Sequence, residues 1–266
     1  MSELIITDNP AQEVGDYINN IIQEHVGDVV CLLGGGSALD IVEYIHPGKV
    51  CYHQNCVEKS ELEQLKNTLC DISECRTIFM MGDERVSGES DINNFLQLKT
   101  RYKGSRILGK IIPTVPEPGE TENEFADRIE KIFSETLLTL TNPKIIFILG
   151  VGTDGHTAGI FPLDEVAFRE TYRDDLIYVP VHLGGLKIDS RASFTPSWIL
   201  GHTNEVIGYI TGETKKSILI DLSNNDKKLN ERPAEILKLH KKAQIFTDID
   251  LAPEEPPGGG IGPGAR

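Results

Sequence analysis

Basic residues are in the minority in this 266-residue chain: 26 Lys and Arg stand against 41 Asp and Glu, a formal net charge of −15. A surface of that sign repels polyanions, which argues against nucleic acid or an anionic membrane as partner. There is no run of about 18 apolar residues to span a bilayer, and the N-terminus lacks the basic-then-apolar order of a secretion signal. Cysteine is sparse as well. The five, at positions 31, 51, 56, 70 and 75, are odd in number and confined to the first third. That distribution does not suit a disulfide framework and fits reduced thiols in the cytoplasm. Cys51-x-His53-x-x-Cys56 has two thiols and one imidazole but no second ligand pair, so no metal is expected there. No internal repeat occurs. No Gly-x-Gly-x-x-Gly follows a strand, which removes the dinucleotide fingerprint, and no cofactor is expected.

What is present is a set of short apolar runs that end in glycine. Ile145 to Leu149 is five apolar residues in a row, the pattern of a strand buried on both faces. It stops at Gly150, and Gly152 and Gly155 let the chain turn before Asp154 and His156. Parallel α/β sheets bind ligands beyond the carboxyl ends of their strands, and an imidazole there can move a proton near neutral pH. Val29 to Leu33 is a second such strand, running into Gly34-Gly35-Gly36-Ser37 and then a helix with Leu39, Ile41, Val42 and Ile45 on one face. A strand, glycine turn and helix N-terminus together present backbone N–H groups to an anion. A third strand, Thr77 to Met81, ends in the charged string Asp83-Glu84-Arg85.

Further elements fill in an alternating pattern. Asn9-Pro10 followed by Gln12 predicts a capped helix whose apolar face carries Val14, Tyr17, Ile18, Ile21 and Ile22. Glu61 to Leu69 suggests a short helix, and Ile111 to Pro113 a short strand. Phe125, Ile129, Ile132, Phe133 and Leu137 share one face of an amphipathic helix after the turn at Pro116 to Gly119. Leu176 to Val179 and Glu205 to Ile210 read as strands, Arg232-Pro233-Ala234 opens a helix, and Gln244 to Phe246 ends the sheet. The expected fold is a mostly parallel, doubly wound α/β sheet with helices on both faces, forming a single domain over residues 1–252. The Pro/Gly-rich residues 253–266 cannot bury a core and are expected to form a disordered tail.

The string Gly150-Val-Gly-Thr-Asp154-Gly-His156-Thr-Ala-Gly-Ile-Phe-Pro162 resembles the signature of the 6-phosphogluconolactonase family, close to Gly-x-Gly-x-Asp-Gly-His-Thr-Ala-Ser-Leu-Phe-Pro. Other segments resemble the same family. The glycine turn has Ala38 and Leu39 where the family often has Thr and Pro. Asp83-Glu84-Arg85-Val86 is followed, after a slightly shortened loop, by Asn93-Asn94 in place of Ser-Asn. Arg191 lies in an Arg-x-Thr-x-Thr-like segment, Lys215 in a Gly-x-x-Lys turn, and Pro233-Ala234 near the C-terminus.

The resemblance implies hydrolysis of a phosphosugar lactone. His156 would take the proton from water, Asp154 would orient the imidazole, and Arg85 would sit near the carbonyl, with Asp83 in the site. Gly35, Gly36 and Ser37, with Arg191 and Lys215, would hold the phosphate. The related glucosamine-6-phosphate isomerase/deaminases usually read Gly-His-Ile-Ala-Phe-Asn-Glu-Pro, which puts their Glu at Phe161. Deamination is therefore the weaker alternative, and a non-catalytic phosphosugar-binding protein is another. The expected partner is a small phosphosugar, and the expected assembly a monomer or small homo-oligomer.

Overall fold

The computed structural model describes residues 2–48, 76–184 and 190–251. The tail 253–266, the helix expected over Glu61 to Leu69 and the Cys51 to Cys56 cluster lie outside the described residues. Six strands form one parallel sheet: β1 (Glu3–Ile6), β2 (Val29–Leu33), β3 (Thr77–Met81), β5 (Lys144–Gly150), β8 (Glu205–Tyr209) and β9 (Ala243–Thr247). Their order across the sheet is β1-β9-β8-β5-β2-β3, every neighbouring pair parallel. A second sheet of three antiparallel strands, ordered β4-β7-β6, is built from β4 (Asp83–Arg85), β6 (Tyr178–His182) and β7 (Ser190–Phe194).

Strand alternation divides the core in two. Val29, Cys31 and Leu33 of β2 point to one side, where α1 (Pro10–Glu24) packs through Val14, Ile18 and Ile22. The next helix, α2 (Asn94–Arg101), adds Phe95 and Leu98 to that side. Val30 and Leu32 point to the other side, against α3 (Glu122–Leu138), α5 (Pro196–His202) and α6 (Lys216–Asn224). The expected doubly wound architecture is therefore present. On this second side lies the small sheet, whose Phe194 makes edge contacts with Phe133 and Phe147, centroids 4.9 and 5.6 Å away.

Several local expectations are corrected. Pro10 does begin α1, but the Asn9 side chain makes no capping hydrogen bond and no box with Gln12 forms. The helix after the glycine turn is a 3-10 helix, Gly36–Glu43. Ile111 makes a single parallel bridge to Phe79 rather than a strand. Gln244 to Phe246 does not end the sheet, because β1 pairs outside β9. The amphipathic helix expected after Gly119 is α3: of its apolar face Phe125, Ile129 and Phe133 are buried and Ile132 and Leu137 half-buried, and Thr121 and Glu124 form a reciprocal capping box at its start.

Candidate active site

Four parallel strands deliver their carboxyl ends to one open cleft of about 700 Å3, a volume that includes solvent space. Gly34 to Ser37 follow β2, Asp83 and Arg85 follow β3, the histidine loop follows β5, and Thr211 and Lys215 follow β8. This is the position at which open α/β sheets hold ligands. The sequence-predicted Gly35, Gly36, Ser37, Asp83, Arg85, His156, Arg191 and Lys215 all line it. Asp154 alone is not part of the lining and reaches the cleft through His156.

The histidine loop is shaped by glycine where side chains would collide. Gly155 sits at φ +86, and a Cβ on Gly152 would lie 2.1 Å from His156 Nδ1. The Gly152 N–H donates to the His156 carbonyl at 2.8 Å, and the Ala234 N–H donates to the Gly155 carbonyl at 3.0 Å. The loop is thus tied to the Pro233-Ala234 segment. His156 Nδ1 lies 2.5 Å from Asp154 Oδ1. Hydrogen bonding to His156 pulls the Asp154 carboxyl down to about 2, against the opposing effect of burial. An ionised carboxylate only accepts, so Nδ1 carries a proton, and in the neutral imidazole Nε2 then keeps its lone pair. Phe161 stacks on the imidazole at 4.6 Å between ring centroids with planes 23° apart. The Arg191 guanidinium carbon is 5.2 Å from the same phenyl ring.

On the small sheet, Asp83 and Arg85 point toward the cleft from β4, while Glu84 between them turns inward and is fully buried. Glu84 accepts hydrogen bonds from the backbone N–H groups of Arg85, Asn94 and Phe95 and from the Thr114 hydroxyl. It thereby ties β4 to the first turn of α2. Burial pushes the Asp83 carboxyl up, and Arg85, Arg191 and His156 oppose that rise. Burial likewise lowers Arg191 and Lys215, while Asp83 draws Arg191 and Asp154 draws Lys215 back upward. Arg85 Nε and Arg191 Nε are buried without a hydrogen-bond partner. Partly desolvated cations with unused donors suit an incoming anion. Arg85, Arg191 and Lys215 outnumber Asp83 and Asp154, so the cleft is locally cationic on a chain of net charge −15.

Asn94, Glu84 and Thr211 lie in segments the sequence singled out but were given no role in the site there. Asn94 carried a signal, its place in a family segment, but its contacts are set by folding. No group of three or more His, Cys, Asp or Glu side chains among the described residues is arranged to hold a metal ion.

Residues 6–246 match the model of the family described as glucosamine-6-phosphate isomerases/6-phosphogluconolactonase. A 6-phosphogluconolactonase of Borreliella burgdorferi is 31% identical over 177 residues, covering 65% of this chain and 73% of that protein. The crystal structure of a 6-phosphogluconolactonase from Shewanella baltica superposes with a TM-score of 0.69 at 17% identity, covering 93% of this chain and 97% of that one. A monomeric glucosamine-6-phosphate deaminase superposes with a TM-score of 0.63 at 15% identity, covering 93% and 97%. The backbone is thus common to both chemistries, and side chains must separate them. With a family model matched across most of its length, this chain belongs to the glucosamine-6-phosphate isomerase/6-phosphogluconolactonase family.

Proposed function

We propose that the chain is a 6-phosphogluconolactonase, hydrolysing 6-phospho-D-glucono-1,5-lactone to 6-phosphogluconate in the oxidative pentose phosphate pathway. The observation that carries this reading is the meeting, in one cleft, of the Asp154–His156 pair with Arg85, Arg191, Lys215 and the glycine turn. His156 Nε2 takes a proton from water as the oxygen attacks the lactone carbonyl. Negative charge develops on the carbonyl oxygen, where Arg85 stabilises it. The ring C–O bond then breaks, and the imidazolium returns its proton to the departing C5 oxygen, giving a free hydroxyl and a carboxylic acid. The glycine turn, Ser37, Arg191 and Lys215 hold the phosphate, and this fixes the ring for attack. Phe161 supports hydrolysis over deamination, since it has no proton to exchange. Cys31, a free buried thiol, is in keeping with a cytoplasmic setting.

Acid release from freshly prepared lactone, followed in a pH-stat above the spontaneous rate, tests the reading. The wild-type chain is expected to accelerate hydrolysis, and His156→Ala to lose about 10²–10⁴-fold of that rate. Binding of 6-phosphogluconate without any acceleration would make the chain a phosphosugar-binding protein. Ammonia release from glucosamine 6-phosphate would make it a deaminase.

A further inference from the structure

We infer that Asn94 is a positioning residue that sets the direction of the Arg85 guanidinium and the Asp83 carboxylate through one amide, an inference that rests on the lactonase reading above. Asn94 is 1% exposed, at the start of α2. Its Oδ1 accepts from Arg85 Nη1 at 3.0 Å. Its Nδ2 donates to the Asp83 carbonyl at 3.1 Å and lies 3.5 Å from Asp83 Oδ2. Arginine can only donate and a main-chain carbonyl can only accept, so the amide has one workable orientation. A side chain with one acceptor face and one donor face is required here. Aspartate would bring a second carboxylate against Asp83, and leucine would satisfy neither neighbour.

The amide is itself held from two directions. Its own backbone N–H donates to Glu84 Oε1 at 2.5 Å. A Cβ on Gly35 would come within 2.6 to 2.7 Å of the Asn94 amide atoms, so the glycine turn closes directly over it. Ile92 supplies a second acceptor for Arg85 Nη1 at 3.2 Å. With Nη1 committed to these two oxygens, the buried Nε is left facing no protein partner. Asn94 acts on the reaction through Arg85 and Asp83, and it unites the phosphate turn with the charge-stabilising strand.

The test is steady-state hydrolysis by Asn94→Leu, Asn94→Asp and Asn94→Leu combined with Arg85→Gln, each checked for folding by its melting transition and by 6-phosphogluconate binding. Asn94→Leu is expected to lower kcat about 10- to 100-fold with KM within about threefold of wild type. In the Arg85→Gln background the same change is expected to cost at least about threefold less than in wild type, because only the route through Asp83 remains. Asn94→Asp keeps an acceptor for Arg85, so its rate relative to wild type should climb as pH falls and the carboxylate pair takes up a proton. A wild-type kcat in Asn94→Leu, an undiminished loss in the Arg85→Gln background, or a flat Asn94→Asp ratio would each overturn the assignment. Should Asn94→Leu not fold, the Asn94→Asp ratio decides alone. An inactive wild-type protein would instead sink the lactonase reading, which separates the two failures.

Discussion

Arg85 and Arg191 are register partners across the antiparallel β4–β7 pair, so two guanidinium groups emerge side by side at one edge of the cleft. Two adjacent cations repel each other, but Asp83 attracts Arg191 more strongly than Arg85 repels it, so burial and not repulsion is the main influence lowering the Arg191 guanidinium. An anionic substrate offsets the cost of that burial. Their expected effects differ because the groups they face differ. Replacing Arg191 with Ala should raise KM by roughly 10- to 150-fold, the equivalent of about 1.5–3 kcal/mol for a lost charged hydrogen bond, with kcat changing far less. Arg85→Ala should act mainly on kcat. Michaelis–Menten analysis of the two variants checks this, and equal effects on KM would reject the division of labour.

Glu84 gives the fold a pH dependence. Burial pushes its carboxyl from 4.5 up to about 8, against the pull of its four hydrogen-bond donors. A carboxyl raised on folding binds a proton that the unfolded chain has already released, so its contribution to stability is complete below about pH 4.5 and shrinks as pH rises toward 8. On protonation the Thr114 hydroxyl can turn to accept. Urea unfolding at pH 5, 6.5 and 8 should show stability falling faster for wild type than for Glu84→Gln. Parallel slopes would show that Glu84 does not titrate in that interval.

The histidine loop leans on a buried cation. Arg232 is 1% exposed, pairs with Glu235, and donates to Asp221 Oδ2 at 2.6 Å and to the Asn225 carbonyl. A Cβ on Gly155 would stand 2.8 Å from its Cγ. Arg232→Met leaves Glu235, itself 3% exposed, with only Lys238 at 3.5 Å to balance it. The loss should be near 3 kcal/mol, the low end for breaking a buried pair, read from chemical denaturation. The rate of lactone hydrolysis should fall as well, since Ala234 no longer fixes the Gly155 carbonyl.

The strands beneath the cleft were legible because β2, β3, β5 and β8 are covered on both faces and so read as unbroken apolar runs. The edge strand β1 was not, with only four residues, two of them exposed. Nor was α4 (Glu165–Thr171), which buries no residue and so has no apolar stripe to read; its start is fixed by the Asp164 cap. β4 read only as a charged string at the end of β3. It is a strand, charged because Asp83 and Arg85 face the cleft and Glu84 caps a helix, and no periodicity encodes that. Likewise, sequence patterns singled out His156, Asp154, the glycine turn, Arg191 and Lys215, and all of these except Asp154 line the cleft. Asn94 was legible only as part of a family segment, and its contacts became visible only once Asp83, eleven residues back in the chain, was seen beside it.

A single residue, Gly82, separates β3 from β4, and a Cβ there would strike the Phe147 ring at 2.5 Å. The guanidinium groups ride on the small sheet, whereas the imidazole and the glycine turn belong to the large one. The gap that a substrate must bridge is consequently a dimension of the joint between two layers. Any change of tilt at that joint moves both arginines relative to the histidine together, so the spacing of the reacting groups is governed by how the layers are bolted and not by the tension of any one loop.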